Sequence, residues 1–188
     1  MNRSRCWVLF ALTGLLLAAP TVAEPTYPER DRPDIDLYAL MSGKCLTLKV
    51  AGHDFGCKAV AYFHSEKGRA NFTVALDDPA DQGHIIAFSG EYGHRTKEDL
   101  YLLAVDRMEL NSSSHPKIDG LPVPAVEASD GACRQVGNFA RLQISSITCA
   151  ATDKMGQQYR LQFESDGTPV TVRRVRSSAP TIRGNPYQ

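Results

Sequence analysis

Few side chains in this sequence have the type and spacing for chemistry, and the most informative are four cysteines, Cys45, Cys57, Cys133 and Cys149. Such residues can hold a metal, act as a redox or nucleophilic thiol, or staple the chain. Structural zinc sites are built from close C-x₂₋₄-C pairs, whereas here the cysteines are separated by eleven and by fifteen residues within the two halves. A catalytic thiol must stay unpaired, and an even count opposes that. Histidines 53, 64, 84, 94 and 115 are scattered, without an HExxH arrangement. His84, beside an apolar run, reads as a boundary residue.

Carboxylates offer slightly more. The segment "DDPADQG" places Asp77, Asp78 and Asp81 in one loop, and hard cations such as calcium want several oxygens. The EF-hand spacing and its distal glutamate are missing, so a solvated acidic turn is the expectation. Asp77, Asp78, Glu127 and Glu164 could serve a glycosidase only at a fixed separation, and nothing in the sequence sets one. There is no G-x-S-x-G elbow. Ser114-His115-Pro116-Lys117 satisfies S-x-x-K, but Pro116 opposes the helix that would bring serine and lysine onto one face. Sequons at Asn71 and Asn111 matter only in a eukaryotic secretory pathway. No metal or cofactor is expected.

The elements that must position these residues begin with an export signal. Arg3 and Arg5 precede an uncharged, mostly apolar stretch from Cys6 to Ala19, and small residues lead to Ala23. This is the pattern of a secretory signal peptide over 1–23, with no transmembrane segment expected after processing. Cleavage would remove Cys6 and leave four cysteines in an oxidising space, where disulfides form. It would also remove two of 21 basic residues and none of 21 acidic ones, leaving 19 against 21. Without a basic excess to neutralise phosphates, no nucleic-acid partner is expected.

Residues 24–36 carry three prolines and seven charges and read as an extended lead-in. In "CLTLKV", Leu46, Leu48 and Val50 alternate with Cys45, Thr47 and Lys49 as a half-buried strand does. A three-residue loop at Val50, Ala51 and Gly52 would set Lys49 opposite His53 and Cys45 opposite Cys57. Runs such as "ANFTVAL", "HIIAFSG", "QQYRLQFE" and "PVTVRRV" also read as strands. "LYLLAVDRMEL" fits either a strand or a short helix, and "SDGACRQVGNFARLQ" could open a helix capped by Ser129 or Asp130. "NSSSHPKIDGLPVP" is a turn-rich linker, and 177–188 is expected to be a disordered tail.

The halves share an order of events. Cys45, Cys57 and the run Phe72, Val74, Leu76 are echoed by Cys133, Cys149 and the run Tyr159, Leu161, Phe163. Four cysteines allow three pairings, and duplication of a unit would favour Cys45 with Cys57 and Cys133 with Cys149. Chance similarity between two meanders accounts for the echo equally well.

The expected fold is mainly β, with antiparallel meanders in one compact domain over 37–176 and at most one or two short helices. Related units over 42–111 and 126–176 are an option within it. Arg173, Arg174 and Arg176 near the C-terminus would either protect a sheet edge or contact an anion, such as a polysaccharide or a lipid headgroup. The functional expectation is an exported, periplasmic or extracellular protein that binds a protein or polysaccharide ligand, or associates with the envelope, without catalysis. Two alternatives stand beside it. One is a small secreted hydrolase using Asp, Glu and His. The other is an inhibitor of a secreted enzyme, presenting a loop such as Gly52 to Gly56 or Ser112 to Pro124.

Overall fold

Alternating burial shapes nearly every element of the computed structural model, which describes residues 35–65, 68–91 and 93–176. β1 spans Ile35–Val50, β2 Ala59–His64, β3 Arg69–Ala75 and β4 Ile85–Glu91. β5 spans Leu100–Asn111, β6 Ala125–Asn138, β7 Gln143–Asp153 and β8 Gln158–Ser165. A last strand, β9, spans Thr171–Arg176. In β8, Tyr159, Leu161 and Phe163 are buried and the residues between them exposed, and in β3 Ala70, Phe72 and Val74 are the buried set. This period of two places one face of each strand on a core.

Each of β1 to β7 pairs antiparallel with the next strand in sequence. β8 then pairs back onto β1, with Gly43 opposite Ser165 and Val50 opposite Tyr159. The sheet therefore closes into an eight-stranded up-and-down barrel. Segments 42–111 and 126–176 meet at two seams of this one ring, β5 against β6 and β8 against β1. β9 runs on along β1 where β8 ends, Leu40 opposite Thr171 and Leu37 opposite Arg174.

The interior is filled by side chains. Phe72, Phe88, Phe163, Met41, Ile86, Leu103 and Met108 are almost wholly inaccessible, each contributing on the order of 1.5–3 kcal/mol by leaving water. Outward positions on β8 are Gln158, Arg160, Gln162 and Glu164. On this strand apolar side chains face inside and polar ones outside, the reverse of the arrangement in a wall that faces lipid. No helix among the described residues is long and apolar enough to cross a membrane.

One end of the barrel carries the connections 51–58, 76–84, 112–124 and 154–157, and the other carries those after β2, β4, β6 and β8. At the second end Phe139 lies 4.9 Å from the ring of Tyr62, whose hydroxyl donates to that of Tyr101 at 3.0 Å. Burial raises the pKa of both hydroxyls. Gln135, fully buried opposite Tyr101, donates its Nε2 to the Gly137 carbonyl at 3.4 Å.

Three local expectations are corrected. The β1 hairpin turns on two residues rather than three: Ala51 and Gly52 have φ of 50° and 88°, and Val50 pairs with His53 and Lys49 with Asp54. Positive φ at both central residues matches the right-handed strand twist. Leu46 is 47% exposed instead of buried, because the register of β1 against β8 shifts between Cys45 and Thr47, and the extra residue points out. The segment that could have opened a helix at Ser129 or Asp130 is strand β6, paired on both edges, with Cys133 and Gln135 inside. Within that segment Phe139–Arg141 form a 3₁₀ turn, where the Asn138 side chain accepts from the Ala140 amide at 2.9 Å. The ambiguous "LYLLAVDRMEL" is strand β5. β1 begins at Ile35, inside the expected lead-in; the expected signal peptide, the rest of that lead-in and the tail lie outside the described residues.

Both local disulfides are present, Cys45–Cys57 joining β1 to the chain entering β2 and Cys133–Cys149 joining β6 to β7. Cys133 and Cys149 are direct register partners. Strict continuation of the β1 turn would set Cys45 opposite Lys58, but the bulge in β1 restores the match, and the Cys45 amide faces the Cys57 carbonyl at 3.5 Å. Non-reducing peptide mapping should recover these two linked pairs and no crossed species. Replacing Cys133 and Cys149 together by alanine should lower stability in urea by about 3 kcal/mol, in line with closing a loop of this size.

A candidate interaction surface at one end of the barrel

Two aspartates of the acidic loop organise part of the first end, Asp78 within its own loop and Asp81 between that loop and 112–124. Asp78 accepts from the Ala80 amide and from His84 Nδ1, both at 2.9 Å. These bonds, the histidine's first, hold its pKa below the usual carboxylate range. An ionised carboxylate only accepts, so Nδ1 carries the ring proton. The edge of Phe55, from the β1–β2 connection, packs against the same imidazole at 5.2 Å.

Asp81 fastens this loop to the next. It accepts from the Ser112 hydroxyl at 2.5 Å, the Ser113 hydroxyl at 2.6 Å, the Ser113 amide at 3.2 Å and the Gly83 amide at 2.9 Å. The serine hydroxyls lead in holding its pKa far below the ordinary carboxylate value. Gly83 lies so close that an added Cβ would stand 3.0 Å from the Ser113 nitrogen. The third residue, Asp77, joins the knot through its backbone, its amide donating to the Gly56 carbonyl at 2.8 Å. The acidic loop thus spends Asp78 and Asp81 on internal bonds, a use that its composition alone does not disclose.

From this anchor the chain 112–124 projects a small hairpin. Lys117–Ile118 pair with Leu121–Pro122 in a sheet separate from the barrel. Asp119 and Gly120 turn it with φ of 50° and 81°, the same two-residue geometry as at Ala51 and Gly52. Its base is closed by Val123 N donating to Pro116 O at 2.8 Å and by His115 Nδ1 with Val123 O at 3.2 Å. The apolar tip faces water: Ile118 is 66% and Leu121 72% exposed, with Val126 at the hairpin's exit also exposed. The segment expected as a turn-rich linker contains a hydrogen-bonded hairpin outside the barrel sheet.

Other residues singled out in the sequence are dispersed. Glu127 lies near the start of β6 and Glu164 near the end of β8, toward opposite ends of the barrel. His53 and His94 are exposed on short outlying strands, and His64 stacks beside Tyr62. The hydroxyls of Ser112 and Ser113 go to Asp81, and that of Ser114 meets Ser112 at 2.7 Å. His84 and Asp78 do come within hydrogen-bond reach, yet these serines are engaged elsewhere. Three open grooves, lined around Lys49 and Gln157, Asn138 and Arg141, and Ala132 and Ala150, include neither His84 nor Asp78. Among the described residues no three His, Cys, Asp or Glu side chains gather as a metal-holding group. Asn71 lies on β3, where its Oδ1 accepts from Thr73 at 3.0 Å, and Asn111 ends β5 with its Oδ1 buried.

The arginines near the C-terminus lie on β9. Register places Arg173 opposite Tyr38 and Arg174 opposite Leu37, and successive strand residues point to opposite faces, so these two exposed side chains diverge. Arg176 pairs with Ile35. Comparison with protein-family models, characterised proteins and solved structures finds no match to this chain.

The low pKa values of Asp78 and Asp81 make this end acid-sensitive. A carboxylate with a depressed folded-state pKa contributes stability that is complete above its unfolded value, about 3.9, and lost as pH falls toward the folded value. Urea unfolding from pH 6 to pH 2 should show a drop in stability beginning near pH 4. Asp81→Asn should be less stable at pH 6 and show a shallower drop. An identical acid limb in both proteins would mean that Asp81 does not hold the loops.

Proposed function

We propose that this protein is an exported, non-catalytic binding module that recognises a partner protein through the Lys117–Pro122 hairpin. The observation that carries the reading is the ordered apolar tip at Ile118 and Leu121, raised from the barrel on a base tied down by Asp81. Exposed apolar side chains gathered on a projection mark interaction sites. Pro116, Pro122 and Pro124 restrict the hairpin's backbone before any partner arrives, reducing the entropy lost on binding. A projecting element of this kind fits an apolar cleft on the partner, the geometry by which an inhibitor loop also works.

Export is part of the proposal. Its supports are the signal-like residues 1–23 and two disulfides of the kind that persist in oxidising compartments. The non-catalytic part rests on the filled barrel interior and on internal bonds that occupy the serine hydroxyls beside the acidic loop.

A photo-crosslinking residue at Leu121, compared with one at Lys44 on the outer barrel wall, tests the reading in the producing cells. Leu121 should yield a discrete adduct with a second protein, lost on adding Ile118→Asp, while Lys44 should not. An adduct containing only a second copy of this chain, or equal labelling at both positions, would overturn it.

A further inference from the structure

We propose that the outer wall formed by β5, β6, β7, β8 and β1 carries a binding trough for an anionic oligosaccharide, at a site separate from the hairpin. Register sets one row of outward residues across these five strands. Lys49 is opposite Arg160, Arg160 opposite Ala150, Ala150 opposite Ala132, and Ala132 opposite Ala104. Two cations thus occupy one end of the row and methyl groups the rest. At about 4.8 Å per strand the row extends about 19 Å.

Longer polar side chains flank it. Gln158, Thr152 and Asp130 are register neighbours on one side, and Gln162, Thr148 and Arg134 on the other. Small residues between long ones hollow the wall. One groove of about 470 Å³ includes Asp130, Ala132, Ala150, Thr152 and Arg160, and another of about 500 Å³ includes Lys49, Gln157 and Arg160. Gln158 and Arg160 line both grooves. The guanidinium is steered by its own neighbour, Arg160 Nη2 donating to Gln158 Oε1 at 3.1 Å.

The chemistry of this surface selects the ligand. Every strand beneath the row is paired on both edges, so a peptide has no free main-chain groups beside which to add as a strand. Recognition must come from side chains. Amide and hydroxyl groups both donate to and accept from sugar hydroxyls, and the Asp130 carboxylate accepts from them, while the alanine floor admits the flat, weakly polar face of a sugar ring. The two cations lie where the trough ends, and a guanidinium matches a carboxylate with two parallel hydrogen bonds. A chain of uronic acids supplies hydroxyls along its length and carboxylates for that end. Lys49 also lies 3.4 Å from Asp54, an exposed pair of small energetic weight, so Arg160 is the principal anion contact.

The test is a titration of the isotope-labelled full-length protein with hexagalacturonate, following backbone amide resonances. Shifts should gather at Gly131, Ala132, Ala150, Thr152 and Arg160 and leave Ile118 and Leu121 unchanged. The fully methyl-esterified, uncharged hexamer and hexaglutamate should each bind at least tenfold more weakly. Arg160→Gln should lower affinity about tenfold. Ala132→Leu, which keeps every charge and fills the floor, should lower it by a similar factor, with thermal unfolding confirming that both variants are folded. No shift at millimolar sugar, shifts centred on Arg173 and Arg174, equal binding of the uncharged hexamer, or tighter binding of hexaglutamate would each overturn the proposal.

Discussion

Everything in this molecule depends on the pairing of its first barrel strand with its last. β8 reaches β1 only after the chain has traversed six intervening strands, and the contact sets Gly43 against Ser165 and Val50 against Tyr159. Until that seam forms, β1 and β8 are exposed edges, and Leu48, Leu161 and Phe163 lack the enclosed interior in which they are buried. Closing it carries the entropy of a long loop. The reward is a ring in which the sheet has no free edge within the barrel, a solution to edge pairing that charged side chains solve less completely.

The disulfides take no part in that closure. Each joins sequence neighbours across a hairpin, Cys45 with Cys57 and Cys133 with Cys149, so they restrict the unfolded chain locally and leave the seam to hydrogen bonds and core packing. A charged clasp helps elsewhere on the wall. Arg69 on β3 donates to Glu91 on β4 at 2.9 Å and to both oxygens of Asp106 on β5, at 2.7 and 3.2 Å. Such a fork spans three strands with one side chain. Ser89, almost fully buried on the middle strand, accepts from the same guanidinium at 3.1 Å.

Local rules made part of this legible in the sequence. The alternation of Tyr159, Leu161 and Phe163, like that of Phe72 and Val74, gives strand and inward face together, and the cysteine spacing gives hairpin staples. The pattern stops being legible where one residue changes the phase. An extra residue at Leu46 is invisible to a period-of-two reading, and a loop of two rather than three residues moves the partners nearest the turn, setting Lys49 opposite Asp54. Ser129 and Asp130 resemble helix caps, whereas what decides the segment is the pairing of β6 to β5 and β7. At Gly131 a Cβ would run into the Ala150 carbonyl, a close approach that only the folded sheet discloses. Barrel closure and the Asp81 clasp across 31 residues depend on distant contacts that composition and spacing leave unspecified.

A filled interior also constrains where binding can occur. In larger barrels a ligand enters the lumen, but here phenylalanines, leucines and methionines occupy it, and native cores pack densely enough that admitting a ligand would require expelling side chains. The binding proposed above therefore falls to the outside, and the two surfaces proposed for it are built differently. The hairpin offers apolar groups on a tethered projection, while the wall offers fixed polar groups on strands that are paired on both sides. In each, paired backbone carries the side chains, so a ligand of the proposed kind would meet a backbone already ordered and less of the interaction energy would be lost to ordering the protein. The same closure that makes the fold costly to form gives its exterior that preorganisation.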